Sequence, residues 1–269
     1  MNISVQNIIN GAIDFHVNGS PSVKEQRMEV LEIARAAYEL ELGAFIYKSE
    51  DHPTAALATI LEQIYPGLRI IGSIVLNETI GGINPLSVEV SARLGAKVVW
   101  VPASKTDGSQ LKQCVLYTND GILSDDALNT LEIIASHEMT LVSELTSTSE
   151  TINLFNEGKR RGVKRMVASN AHGTMSIKDQ REISSCGAYV EYTFLSLMPS
   201  IGKMSPEEMF QGIQSVGVDK CIVTTGFGQW LNPPPAEGLR MAIAMLLHSG
   251  LSEDQVSMLV KETPKSLID

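Results

Sequence analysis

The stretch Ile13-Asp14-Phe15-His16-Val17-Asn18 reads as a short strand that ends in the turn Gly19-Ser20-Pro21. At a period of two, Phe15 and Val17 share one face while Asp14, His16 and Asn18 share the other. The pattern looks like a metal-binding His-x-His with an asparagine where the second histidine would stand. More polar side chains wait at the ends of later apolar runs: Lys48 and Glu50, Asn77, Glu144, Asn170 with His172, Glu191, and Thr224-Thr225 running into Gly226-Phe227-Gly228-Gln229. Imidazole and carboxylate side chains can move protons, and a desolvated lysine can attack a carbonyl. On this chemistry His16, Lys48, Glu50 and Glu144 are the candidate catalytic residues. Asn18, Asn77, Asn170, His172, Glu191 and Gln229 are the candidate substrate contacts, and the glycine-rich turn can offer N–H groups to an anion.

Such residues work only if a scaffold brings them together, and two alternating periods describe one. Strands are expected at 13–18, 44–49, 69–77, 97–102, 140–145, 164–169, 188–194 and 220–225, each followed by a helical segment. The helices are expected at 24–42, 53–65, 85–94, 124–137, 148–161, 176–185, 206–216 and 235–249, with an extra C-terminal helix at 252–259 opened by a Ser-x-x-Gln capping pattern. Eight such units in 269 residues predict an α/β fold, a (β/α)8 TIM barrel in one domain spanning residues 1–269. Residues 103–123 break the alternation as an insertion after strand four, with Cys114-Val115-Leu116-Tyr117 as one arm of a hairpin. All the candidate residues then fall at C-terminal strand ends, where barrel active sites lie.

Composition narrows the partners. A net charge of -10 argues against nucleic acid and anionic membranes, and Lys159-Arg160-Arg161 reads as the end of a helix. The three cysteines have no disulfide or zinc-knuckle spacing, and no apolar run reaches a membrane span of roughly 18 residues. A cytoplasmic protein acting on a small molecule is expected. Met241, Met245 and Met258 belong either to the core or to a subunit contact of a homo-oligomer.

Several longer stretches carry a resemblance: Ile13-Asp14-Phe15-His16-Val17, Lys48-Ser49 before Pro53-Thr54, Leu76-Asn77 before Gly81-Gly82-Ile83-Asn84-Pro85, and Lys97-Val98-Val99-Trp100-Val101-Pro102. Thr224-Thr225, Gly228-Gln229, Asn232-Pro233 and Glu237-Gly238-Leu239-Arg240 extend it nearly end to end. In these the chain resembles an uncharacterised family of amidohydrolase-like, metal-dependent barrel proteins. That resemblance implies a His-x-His on strand one, histidines after strands two, five and six, and an aspartate after strand eight. Of these only His16 is kept; Asn18, Glu50, Glu144, Asn170 and Gly226 occupy the other positions.

Three readings follow. In the first, the chain is a hydrolase of a small-molecule substrate with an atypical or lost metal site. One divalent ion would be held by His16, Glu50 and Glu144, an oxygen-rich set that suits Mg²⁺ or Mn²⁺ better than Zn²⁺. In the second, the chain is a metal-free pseudoenzyme that binds a small molecule or a partner. In the third, it is a metal-free lyase or aldolase-type enzyme with Lys48 as its Schiff-base lysine. The structural alternatives are a hydrogen-bonded His16 in the barrel floor and an ion pair of Lys48 with Glu50 or Glu144.

Overall fold

The computed structural model describes residues 3–102, 116–118, 120–169 and 171–269, with backbone only for 171 and 172. After helix α1 (Ile3–Ile9) come β1 (Ile13–Asn18), α2 (Val30–Glu39), β2 (Ala44–Lys48), α3 (Ala55–Ile64), β3 (Arg69–Val75), α4 (Pro85–Arg93) and β4 (Val98–Val101). The second half runs α5 (Asp125–Ser136), β5 (Thr140–Ser143), α6 (Thr148–Arg160), β6 (Arg165–Ala168), α7 (Ala171–Thr174), α8 (Ile177–Ser185), β7 (Tyr189–Thr193), α9 (Pro206–Val216) and β8 (Cys221–Thr224). It ends with α10 (Pro235–His248), α11 (Glu253–Ser257) and α12 (Thr263–Ile268). The eight strands lie in sequence order, and every neighbouring pair from β1 to β8 is parallel. This is the expected (β/α)8 barrel.

Local chemistry sets the helix starts. Ser124, Ser147, Ser176, Ser205 and Ser252 each accept a backbone N–H of the first turn with the side-chain oxygen. The helix expected from residue 24 begins instead at Val30. Ser20 donates its N–H to Met28 O and accepts from Val30 N, at 3.0 and 2.7 Å, so residues 24–29 are tied to the first turn as a loop. The C-terminal helix expected to end at 259 continues. Residues Met258–Glu262 form one wide π turn, and α12 follows it through Pro264, which has no N–H to donate. Of the expected hairpin, Tyr117 pairs antiparallel with Leu123, while 103–115 and 119 lie outside the described residues.

Two apolar clusters hold the barrel. The larger packs helices against the outside of the sheet; the smaller fills the barrel with Ile13, Phe15, Ala44, Ile46, Ile71, Val98, Trp100, Val142, Val167 and Ile222. Leu267 and Ile268 from α12 close it from below, and the Thr140 hydroxyl donates to the Leu267 carbonyl. Met241 and Met245 pack partly buried against the larger cluster, and Met258 is exposed. Among the described residues no helix is long and apolar enough to cross a membrane.

The barrel closes between β8 and β1 just past the end of β8. Gly226 N donates to His16 O at 3.0 Å and Asn18 N to Phe227 O at 2.8 Å. One further link is a side chain. Buried Asp14 accepts from Thr225 N at 3.0 Å and from the Thr225 hydroxyl at 2.5 Å.

Candidate active site

The interior side chains explain where polar groups emerge. One inward position above the apolar layer, Lys48 follows Ile46, Glu144 follows Val142, Ser169 follows Val167, and Thr224 follows Ile222. Glu191 follows the partly buried Tyr189 in the same way. On these five strands an interior apolar or aromatic residue is thus succeeded, two places on, by a polar one nearer the C-terminal end of the barrel.

Strand β1 departs from this parity. Its register with β2 shifts between Asp14 and Val17, so Phe15 packs in the barrel interior while the adjacent His16 also meets interior groups. The expected sharing of one face by Phe15 and Val17 is corrected by this bulge, since Val17 packs in the outer cluster. Asp14 is likewise drawn to the β8 seam rather than to the cavity.

His16 Nδ1 lies 3.2 Å from Glu191 Oε1, with the two side chains 7% and 0% exposed. The Thr224 hydroxyl donates to the same oxygen at 2.7 Å. Burial alone would raise the Glu191 carboxyl, but the charge and hydrogen bond of His16, with the Ser169 and Thr224 hydroxyls, hold it down at about 2. Glu191 is therefore an anion built into the floor. Asp14 shows the opposite balance: burial outweighs the hydrogen bonds from Thr225 and lifts its carboxyl to about 6.

Lys48 Nζ lies 2.5 Å from Glu144 Oε1, the side chains being 4% and 13% exposed. The ammonium also sits 4.6 Å from the Trp100 ring centroid, and the His16 ring is 4.7 Å from the same centroid. Trp100, fully buried, thus backs both His16 and Lys48. Its signal in the sequence is a lone aromatic at an inward position two residues after Val98.

His16, Lys48 and Glu144 line a cavity of about 260 Å³ with Asn18, Glu50 and Gln229. Glu50 stands at the rim, where it pairs with Lys24 at 2.8 Å in a well-exposed contact. The neighbouring Asp51 carboxylate accepts from the Ser22 hydroxyl and Val23 N, both at 2.7 Å, and so pins the loop after β1 over the mouth. Gln229 donates to Gly226 O at 2.9 Å, and its oxygen accepts from Asn232. Asn77 instead donates to Glu50 O and accepts from Thr79 N, capping a short turn behind the rim. Asn170 and the side chain of His172 lie outside the described residues.

A divalent ion does not fit the residues expected to hold it. Glu144 is engaged by the ammonium of Lys48, His16 Nδ1 by Glu191, and Glu50 is held at the rim by Lys24. Among the described residues no three His, Cys, Asp or Glu side chains are grouped to bind a metal. The Glu144 carboxylate is balanced by the Lys48 ammonium, and the buried Glu191 carboxylate is hydrogen-bonded to His16 and Thr224.

The fold has well-characterised company. An amidohydrolase from Pseudomonas aeruginosa superposes with a TM-score of 0.68 at 13% identity, over 100% of this chain and 98% of that one. The organophosphorus hydrolase from Deinococcus radiodurans gives 0.64 at 13% identity, over 97% and 93%. At such identities the likeness is one of fold. No curated protein sequence matches the chain. Residues 11–191, well over half of the sequence, match a family described as of unknown function, DUF6282, and the chain belongs to that family.

Proposed function

We propose that the barrel mouth is the active site of a hydrolase-like enzyme for a small polar molecule, with the Lys48 ammonium supplying the positive charge that an ion would supply in metal-dependent barrels. The observation that carries this reading is the convergence of two compensated pairs, His16–Glu191 and Lys48–Glu144, on one cavity. Glu191 holds the Nδ1 side of the imidazole, so Nε2 is the nitrogen that takes a proton from water as it adds to an acyl carbon. His16 then returns that proton to the leaving group. Lys48 supplies positive charge to the oxyanion, and Asn18 and Gln229 orient the polar ends of the substrate.

Small lactones, esters and amides offered to chelator-treated protein test the proposal. Turnover is expected, with His16→Gln lowering it by about 10²-fold or more. Turnover that is absent throughout and restored only by added divalent ion would refute it. A second reading, a pseudoenzyme that only binds its ligand, is favoured by one observation: Lys48 and Glu144 already neutralise each other. Saturable binding of panel compounds without turnover of any would establish that reading instead. The free thiols of Cys186 and Cys221 suit the cytoplasm in which such an enzyme would work.

A further inference from the structure

We infer that Lys48 is a covalent attachment point for small aldehydes and ketones, which it takes up as an imine in the barrel mouth. This rests on reading the mouth as a ligand site, though not on hydrolysis. A lysine used only for stability would sit as well away from any opening, whereas Lys48 lines the cavity while being only 4% exposed. Its nitrogen has a proton acceptor, Glu144 Oε1, at 2.5 Å and an aromatic face at 4.6 Å. These are the two things imine formation needs, a base beside the amine and little competing water.

The step balances within those groups. Glu144 takes a proton from the ammonium, and the freed lone pair forms a C–N bond to the carbonyl carbon as the C=O π pair moves to oxygen. Glu144 hands that oxygen the proton, giving a carbinolamine. A second proton travels the same way, the C–O bond breaks, and water leaves as the nitrogen lone pair closes the C=N bond. Both hydrogens of the water come from the ammonium, and the nitrogen is singly positive before and after. Glu144 therefore faces one positive charge both before and after the step, so the iminium replaces the ammonium as its counter-ion. The cavity of about 260 Å³ has room for a small carbonyl compound beside Lys48.

Lys24 provides an internal control, because it lines the same cavity with its side chain 69% exposed and its carboxylate partner at the rim. The full chain is incubated separately with glyoxylate, pyruvate and acetaldehyde in the presence of sodium cyanoborohydride, and labelled lysines are located by peptide mass mapping. Label on Lys48 is expected about tenfold faster than on Lys24 or any other exposed lysine, with Glu144→Gln slowing it by about tenfold. A thermal melt of each sample establishes that the labelled protein is folded. Label spread over exposed lysines, with Lys48 unmodified in folded wild-type protein, overturns the inference. Labelled Lys48 without ester or amide turnover defeats only the hydrolase reading, and turnover without label defeats only the imine.

Discussion

Replacing Asp14 by Asn should flatten the pH dependence of stability between about pH 4 and pH 8. The Asp14 carboxyl is lifted from 3.8 to about 6 because burial outweighs the bonds from Thr225. The folded state therefore binds this proton more tightly than the unfolded chain does. Its stabilising effect is complete below about pH 4 and disappears as pH rises through about 6. At about 1.4 kcal/mol per pH unit, the loss is about 3 kcal/mol. Asparagine keeps the shape: its oxygen can accept from Thr225 N, and its amide can donate to the Thr225 hydroxyl, which has His16 O as its own alternative acceptor. Urea unfolding of both proteins at several pH values gives the difference directly, and taking that difference cancels every other titrating group. The Asn variant should gain about 3 kcal/mol relative to wild type from pH 4 to pH 8. Two profiles separated by a constant offset would refute the assignment of that proton to Asp14.

Glu191→Gln bears on a lower pH window. The Glu191 carboxyl is held near 2 against an ordinary 4.5, so it contributes about 3 kcal/mol that is present above pH 4.5 and lost as pH falls toward 2. The variant should be less stable at neutral pH by about that amount in urea, yet lose less on acidification. For Lys48 and Glu144, Lys48→Met should cost about 3 kcal/mol by stranding a carboxylate, whereas Lys48→Met combined with Glu144→Leu should recover most of it. Additive losses in that double-mutant cycle would mean the pair is not coupled. Gly228→Ala brings a Cβ to 2.5 Å from Asn18 Cβ and 2.6 Å from Asn18 O, so calorimetry should show a loss of about 1–3 kcal/mol.

The barrel itself is legible in the sequence because alternating periods are a local property: β1 matches its expected span to the residue, and the other seven strands match theirs to within two at each end. The site was legible as a set of positions and much less so as a set of partners. Parity placed Lys48 and Glu144 at strand ends, but only the closed sheet shows that residues 96 apart form one ion pair while Glu50 turns to Lys24. His16 and Glu191 are 175 apart, and no local pattern ties them together. The bulge in β1 defeats period-two reasoning at the residue that matters most, since His16 faces inward beside an inward Phe15. Helix α2 starts later than its periodicity predicts for a similar reason, because Ser20 binds the backbone of Met28 and Val30 where the expected first turns would lie.

The seam between β8 and β1 has a consequence for how the molecule is made. Asp14 and Thr225 are 211 residues apart, and the backbone bonds from Gly226 to His16 and from Asn18 to Phe227 span similar distances. The first strand therefore has one neighbour, β2, until the last strand has been synthesised. Contacts of such sequence separation are expected to form late, after most of the loop-closure entropy has been met by local βα units. His16 thus acquires Glu191 and the wall that begins at Gly226 only as the ring of strands closes. A chain arrested before β8 would carry most of its secondary structure and an open edge on each side, and no cavity at all.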